Sequence, residues 1–286
     1  MIQPNFERFR TVLLRRGEPD YVPLGDVGVH PMLKAGVLGR PIRTMENEVA
    51  FWVAAGYDYV PVEQGLQQSD VIRRQSMHEL EAHYAVESDE TIVRSWATEG
   101  RGLISTMAEF EAFRWPDPDA LDYGAFDRIG PLLPPTLNVI AILGKIFSCV
   151  WWLMGLEGMS LALADEPELV PRVFRKVGEI QLRVFERMLR YDCVGTFWHA
   201  DDVAFATQLL ISPRILRQHL FPWYAEMNRM AHARGRLTVY HSDGALQEVL
   251  DDIVASSNSI PEYVPLANFN ALRQATFDFG RYPIRA

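Results

Sequence analysis

Apolar residues recur along this chain in two rhythms that take turns. Residues 4–16 carry Phe6, Phe9, Val12 and Leu13 at helical spacing and end in Arg15-Arg16-Gly17, a basic last turn before a stopping glycine. Residues 21–28 read as a short buried strand opening into a glycine-rich turn, and residues 44–55 as a helix. Residues 57–64 predict a second strand with a polar end, and residues 138–143, Asn-Val-Ile-Ala-Ile-Leu, a third followed by a long helical region. Asp165-Glu-Pro-Glu168 marks a helix start, with Val170, Val173, Val177, Ile180 and Val184 as its apolar stripe. Residues 194–199 form a fourth strand, Ser212-Pro213 caps the next helix, and residues 236–241 form a fifth strand. A helix over 245–254 and a last one over 267–279 complete the series. Between residues 79 and 113 the pattern alternates instead, which predicts a β-hairpin excursion, and Trp115-Pro-Asp-Pro-Asp119 is a turn launching a short helix.

Strand followed by helix, repeated, is the order of a parallel α/β fold. The 286 residues, 48% of them hydrophobic, suffice for one large domain with a core that needs no disulfide. Cys149 and Cys193 lie far apart in apolar stretches and read as reduced core residues. A net charge of −9 with no basic run argues against nucleic acid and anionic membranes as partners. The first ten residues lack the apolar core of a signal peptide, and the longest apolar stretch, residues 139–156, is broken by Gly144, Lys145 and Ser148. The expectation is a cytoplasmic protein acting on a small molecule. There is no dinucleotide fingerprint, P-loop or Gly-x-Ser-x-Gly elbow, so neither NAD nor ATP is expected, nor serine-hydrolase chemistry of that type.

The polar residues directly after the apolar strands carry the candidate chemistry. They are Asp26, Glu63, His199, Asp201, Asp202, His241 and Asp243. In parallel α/β folds the carboxyl ends of strands gather at one mouth, where ligands bind. Any one of these acids could instead cap the helix that follows its strand. His241 and Asp243 stand two apart, so alternation puts both on one face, as a metal-ligand pair, a hydrogen-bonded acid–base pair or a histidine tied to its turn. Asp201 and Asp202 are adjacent and must face opposite ways, one toward the mouth and the other toward the turn.

Four segments together resemble the uroporphyrinogen decarboxylase superfamily, which includes cobalamin-dependent methyltransferases. They are Thr238-Val-Tyr-His-Ser-Asp-Gly244, Asp201-Asp202 ahead of Ile211-Ser-Pro213, Trp115-Pro-Asp-Pro118, and Ser257-Asn-Ser-Ile-Pro-Glu-Tyr-Val-Pro265. The resemblance implies a single TIM-type (β/α)8 barrel over residues 1–286, yet only five parallel strands can be counted. The stretch near residue 256 corresponds to the segment after the family's eighth strand, as though two or three β–α units were missing near residue 255. A partner subunit in a homodimer, a rearranged wall or a degenerate copy would each account for this.

The resemblance also implies roles. In the methyltransferase branch a His-x-Cys pair holds zinc, and here its positions are His241 and Asp243. Glu63 stands where decarboxylases stabilise a protonated intermediate, or serves as a third ligand, and His199 completes the catalytic candidates. Asp201, Asp202, Asp26 and Asn258 stand at substrate-binding positions. The arginine-rich segment that clamps uroporphyrinogen carboxylates is replaced by Gly25-Asp-Val-Gly-Val-His-Pro31, and the family's late histidine by Asn258. The expected function is therefore corrinoid-dependent methyl transfer in one-carbon metabolism, with a corrinoid co-substrate or corrinoid protein as partner. Uroporphyrinogen III decarboxylation in porphyrin biosynthesis and non-catalytic tetrapyrrole or corrinoid binding are the alternatives.

Overall fold

The computed structural model describes residues 3–69, 77–82, 92–97 and 102–252, with single positions at 72, 270 and 274. Its strands are β1 (Tyr59–Glu63), β2 (Met77–Ala82), β3 (Ile92–Ala97), β4 (Asn138–Leu143), β5 (Val194–Ala200) and β6 (Leu237–His241). Four of them form a parallel sheet in the order β1-β4-β5-β6, while β2 and β3 pair antiparallel in a separate ribbon. The sheet order follows chain order with no reversal. That order differs from a doubly wound sheet, in which the strand order reverses, and it does not by itself close a barrel.

Register fixes which side chains share a face. Glu63 pairs with Ile142, Ile142 with Trp198, and Ala200 with His241, so Glu63, Ile142, Trp198 and His241 lie on one face. Phe197, His199 and Tyr240 lie on the other. That second face is covered by helices: Phe185 packs on Phe197 with ring centroids 4.5 Å apart, and Tyr224 lies 4.8 Å from the His199 ring. Every residue of β5 is buried, which explains why its run is apolar throughout rather than alternating. The register slips between Val139 and Ile140, and the residue this leaves over, Gly195, sits under the Phe6 ring where a Cβ has no room.

The crossover from β4 to β5 contains helices Ile146–Met154, Leu156–Asp165 and Leu169–Met188. Gly155, at φ 71°, separates the first two, which meet at 85°. All five stripe residues of the third helix are buried, as the spacing predicts. Helices Pro213–His219 and Phe221–His232 lead from β5 to β6, the first capped by Ser212, whose Oγ accepts from the Arg214 N–H. The N-terminal helix Phe6–Leu13 docks beside β1 through Phe9 against Tyr59 and through Arg8, which pairs with Asp20 and buried Asp58. Among the described residues no single helix is long and apolar enough to cross a membrane.

Several expectations are corrected. Residues 21–28 are not a strand, so the parallel sheet has four strands rather than five, with β1 and β6 as its edges among the described residues. Pro23 offers no amide proton, and both backbone groups of Asp26 are engaged by the Tyr59 hydroxyl rather than by a neighbouring strand. The alternating stretch ends before residue 113, because Thr106 and Glu109 form a capping box that starts a helix, Met107–Ala112. Residues 247–249 form a 3₁₀ turn where an α-helix was expected, and Arg217 donates to the Glu248 carbonyl that a longer helix would use. The predicted helix over 267–279 and residue Asn258 lie outside the described residues.

Candidate functional site at the carboxyl rim

Asp202, His241 and Asp243 converge where β5 and β6 end. One ligand atom from each lies within 4.8 Å of the others, and the His241 Nε2 is 3.8 Å from an oxygen of Asp202 and 3.8 Å from an oxygen of Asp243. The two loops are joined in several places. The Asp201 N–H donates to the His241 carbonyl at 2.9 Å, extending the ladder, and the Asp243 N–H donates to Asp202 Oδ1 at 2.8 Å. Val203 N–H donates to Ser242 Oγ and Ala245 N–H to the Phe205 carbonyl. Gly244, at φ 93°, lies against the Ala204 and Phe205 carbonyls, an approach a side chain would block. His241 is buried at 6% exposure, while the two carboxylates are half exposed to solvent.

This donor set fits a divalent metal. Tetrahedral zinc ligands at 2.0–2.2 Å from the ion stand roughly 3.3–3.6 Å apart. The two 3.8 Å separations from His241 exceed this by a few tenths of an ångström, and the two carboxylates offer oxygens within 4.8 Å of each other. One imidazole and two carboxylates leave a fourth position open, the pattern of catalytic rather than structural zinc. Sequence reasoning placed His241 and Asp243 together but assigned Asp202 to substrate binding, since residues on different strands give no spacing signal.

The neighbouring acid does something else. Asp201 Oδ1 accepts from the Ser148 N–H at 2.8 Å and Ser148 Oγ at 2.7 Å, while Oδ2 accepts from the Phe147 N–H at 2.8 Å and the Tyr224 hydroxyl at 2.6 Å. It caps helix Ile146–Met154 from across the β4–β5 junction, and burial pushes its carboxyl up despite these four donors. Fully engaged and 1% exposed, Asp201 offers no surface to a substrate. His199 is likewise withdrawn from the rim. It lies on the helix-covered face with Nε2 2.9 Å from Asn228 Oδ1, and burial pushes it down to about 4, so it is neutral. With Tyr224, Asn228, His232 and Thr238 it lines a separate cavity of about 560 Å³ beside β6. It is not in the place expected of a catalytic histidine.

Glu63 ends β1 on the same face as His241, and three inter-strand steps put the two roughly 14 Å apart along the sheet. Glu63 pairs with Lys145 at 2.9 Å and accepts from Gln67 at 3.3 Å. Burial pushes the Glu63 carboxyl up, but the Lys145 ammonium outweighs it and holds the group below its ordinary value. Gln181, fully buried in the long helix, supports this end. It donates to Gln67 Oε1 and the Gly144 carbonyl and accepts from the Leu66 N–H, joining the loops after β1 and β4. Lys145 was missed by the sequence reading, although it follows an apolar strand as the chosen residues do. Its backbone is left-handed, φ 48° and ψ 35°, one of two such non-glycine residues described.

Asp26 belongs elsewhere. Its carboxylate accepts from the Tyr57 hydroxyl and its backbone engages Tyr59, residues at the start of β1 rather than its carboxyl end. Burial pushes its carboxyl up against the pull of Tyr57, and the structure does not bring it together with the rim residues.

Comparison with known protein families and with curated proteins finds no match to this sequence. Among solved structures the chain is similar to a methyltransferase from Methanosarcina mazei, at 17% identity and a TM-score of 0.55, over 87% of this chain and 73% of that one. At that identity the likeness is one of fold.

Proposed function

We propose that this chain is a metal-dependent methyltransferase whose site is the rim formed by Asp202, His241 and Asp243, with Glu63 and Lys145 at its far end. The observation that carries the reading is the meeting of one imidazole and two carboxylates within 4.8 Å at the ends of adjacent parallel strands. The fold likeness to a methyltransferase supports it at the level of architecture. His241 Nε2 and the two carboxylates would hold the ion, and the two negative charges balance a divalent cation. A divalent ion in such a site lowers the pKa of a coordinated thiol, providing a nucleophile at neutral pH. In this reading a corrinoid, free or carried by a partner protein, would supply the methyl group, and the three rim residues would hold the ion that activates the accepting thiol. Lys145, paired with Glu63 at 2.9 Å, would orient the polar end of a substrate that spans the rim.

Zinc titration by calorimetry, followed by incubation with methylcobalamin and a small thiol, tests this. One zinc per chain, lost in His241→Ala, and thiol-dependent loss of the methylcobalamin absorbance are expected. A wild type that binds no zinc overturns the metal site. Zinc binding with a corrinoid spectral shift and no turnover would make the chain a carrier instead.

A further inference from the structure

The two edges of the parallel sheet are built differently. On β1 the Gln64 N–H donates to the Ile142 carbonyl at 3.0 Å, so the backbone groups of Gln64 and Val62 turn toward β4, while those of Glu63, Pro61 and Tyr59 turn outward. Pro61 has no N–H to offer there, which blunts that edge against a further strand. On β6 the Asp201 N–H donates to the His241 carbonyl at 2.9 Å, so His241 and Val239 turn toward β5, while Tyr240 and Thr238 turn outward. Neither the N–H nor the carbonyl of these two is engaged by a described residue, and no proline, lysine or acid interrupts the strand Leu237–His241. The cavity of about 560 Å³ runs along this open edge, with Thr238, Val239 and Tyr240 as one wall. The other wall is the helix Phe221–His232, whose Phe221, Ala225, Asn228 and His232 fall on one stripe. A strand edge and the helix flank beside it are thus open together.

An unblunted edge is a template for another strand, and the charges of the groove point to its source. At net charge −9 the chain as a whole repels its own copy, so self-association needs a face whose charges complement each other. Asp251 lines the groove near the carboxyl end of β6, and Arg234 stands in the turn before the amino end, two residues beyond His232. Both are exposed, and neither has an ion-pair partner among the described residues. Antiparallel pairing of this edge with its own copy brings the two ends together. A twofold axis through Val239 sets Thr238 of one copy opposite Tyr240 of the second, and the outward backbone groups of each pair then exchange N–H···O bonds in both directions. The helix Phe221–His232 sits over both β5 and β6, through Tyr224 on His199 and His232 on Thr238. With the two β6 strands about 4.8 Å apart, the two helices come to lie roughly 10 Å apart, an ordinary packing distance. We propose that the open edge of β6 is the interface of a twofold dimer, in which a second copy of this chain adds its own β6 antiparallel and fills the cavity with its helix Phe221–His232.

Sedimentation velocity on the full chain, over a dilution series from about 100 µM to about 1 µM, tests this. A reversible monomer–dimer equilibrium is expected. Thr238→Pro removes an outward N–H from each copy without touching the ladder to β5, and should weaken dimerisation roughly tenfold or more. Asp251→Arg and Arg234→Asp each set like charges against one another at both ends of the interface and should weaken it by a similar factor. The double variant, with the charges exchanged, should restore it. Because both charged residues are exposed, this rescue decides the matter even where Thr238→Pro fails to fold. A chain that stays monomeric throughout the series would overturn the inference. So would a dimer that none of these variants weakens, or a double variant that dimerises no better than either single one.

Discussion

Replacing Asp201 by asparagine and, separately, Asp202 by asparagine separates a helix-capping acid from the proposed metal ligand one residue away. In Asp201→Asn one carboxylate oxygen becomes an NH₂. The Ser148 and Phe147 N–H groups donate to different oxygens, so whichever way the amide is turned, one backbone donor faces another donor. The Ser148 and Tyr224 hydroxyls can rotate to accept and escape the conflict. One buried unsatisfied N–H costs about 1–3 kcal/mol, and losing a negative charge at a helix N-terminus up to about 2 more. Relief from burying a charge offsets part of this, since burial already holds the Asp201 carboxyl above its ordinary value. The net expectation is a loss of about 2–3 kcal/mol, which for a chain of 286 residues lowers Tm by roughly 3–5 °C. Zinc stoichiometry should stay at one. In Asp202→Asn, with its side chain half exposed, Tm should hold within about 1 °C. Zinc affinity should fall by more than the roughly 10–100-fold lost when a residue that only hydrogen-bonds to a ligand is changed. Calorimetric unfolding and zinc titration of the two variants side by side decide the matter. An Asp201→Asn protein with wild-type Tm and lost zinc binding would refute the assignment of roles.

Two further expectations concern the supporting structure. The His199 imidazole is held down to about 4 against an ordinary value of 6.5, so the unfolded chain binds its proton first as pH falls. The stability it contributes is present above about 6.5 and is lost as pH drops toward about 4, and His199→Phe should flatten that part of the stability–pH curve measured by urea unfolding. Gly178→Ala would add a Cβ 2.5 Å or less from Trp223 ring atoms. Overpacking of about 1–3 kcal/mol should then outweigh the roughly 1 kcal/mol that alanine gains in a helix. The same substitution in a Trp223→Ala background should turn stabilising, and a Gly178→Ala protein more stable than wild type would show that the ring does not pack there.

Much of the wall was legible in the sequence because its signals are local. The buried stripe of helix Leu169–Met188, the Ser212-Pro213 cap and the apolar runs that became β4 and β5 each arise within a dozen residues. Residues 21–28 misled because an apolar run with Pro23 and two glycines looks like a strand end, whereas its backbone groups are taken by a tyrosine from thirty-three residues on. The site was legible by half. Polar residues after strands pointed to the rim where Asp202, His241 and Asp243 meet, yet His199, Asp201 and Asp26 carry the same mark and pack in the helix layer, cap a helix and pair with buried tyrosines. Lys145 carries it too and was passed over, because its partner Glu63 lies 82 positions away, across the sheet.

What the sequence determined alone is the order of the main strands and helices between residues 138 and 241, the parallel sense of those strands and the spacing that brings His241 and Asp243 together. All of these arise from side-chain periodicity and backbone chirality, which act over a few residues. Which of two adjacent aspartates turns to the rim was decided only in three dimensions. So were the joining of Asp202 to a histidine on the next strand and the loss of a histidine to the helix layer. Each depends on strand register and on which donors a folded neighbour presents, and neither is written in the spacing of residues along the chain.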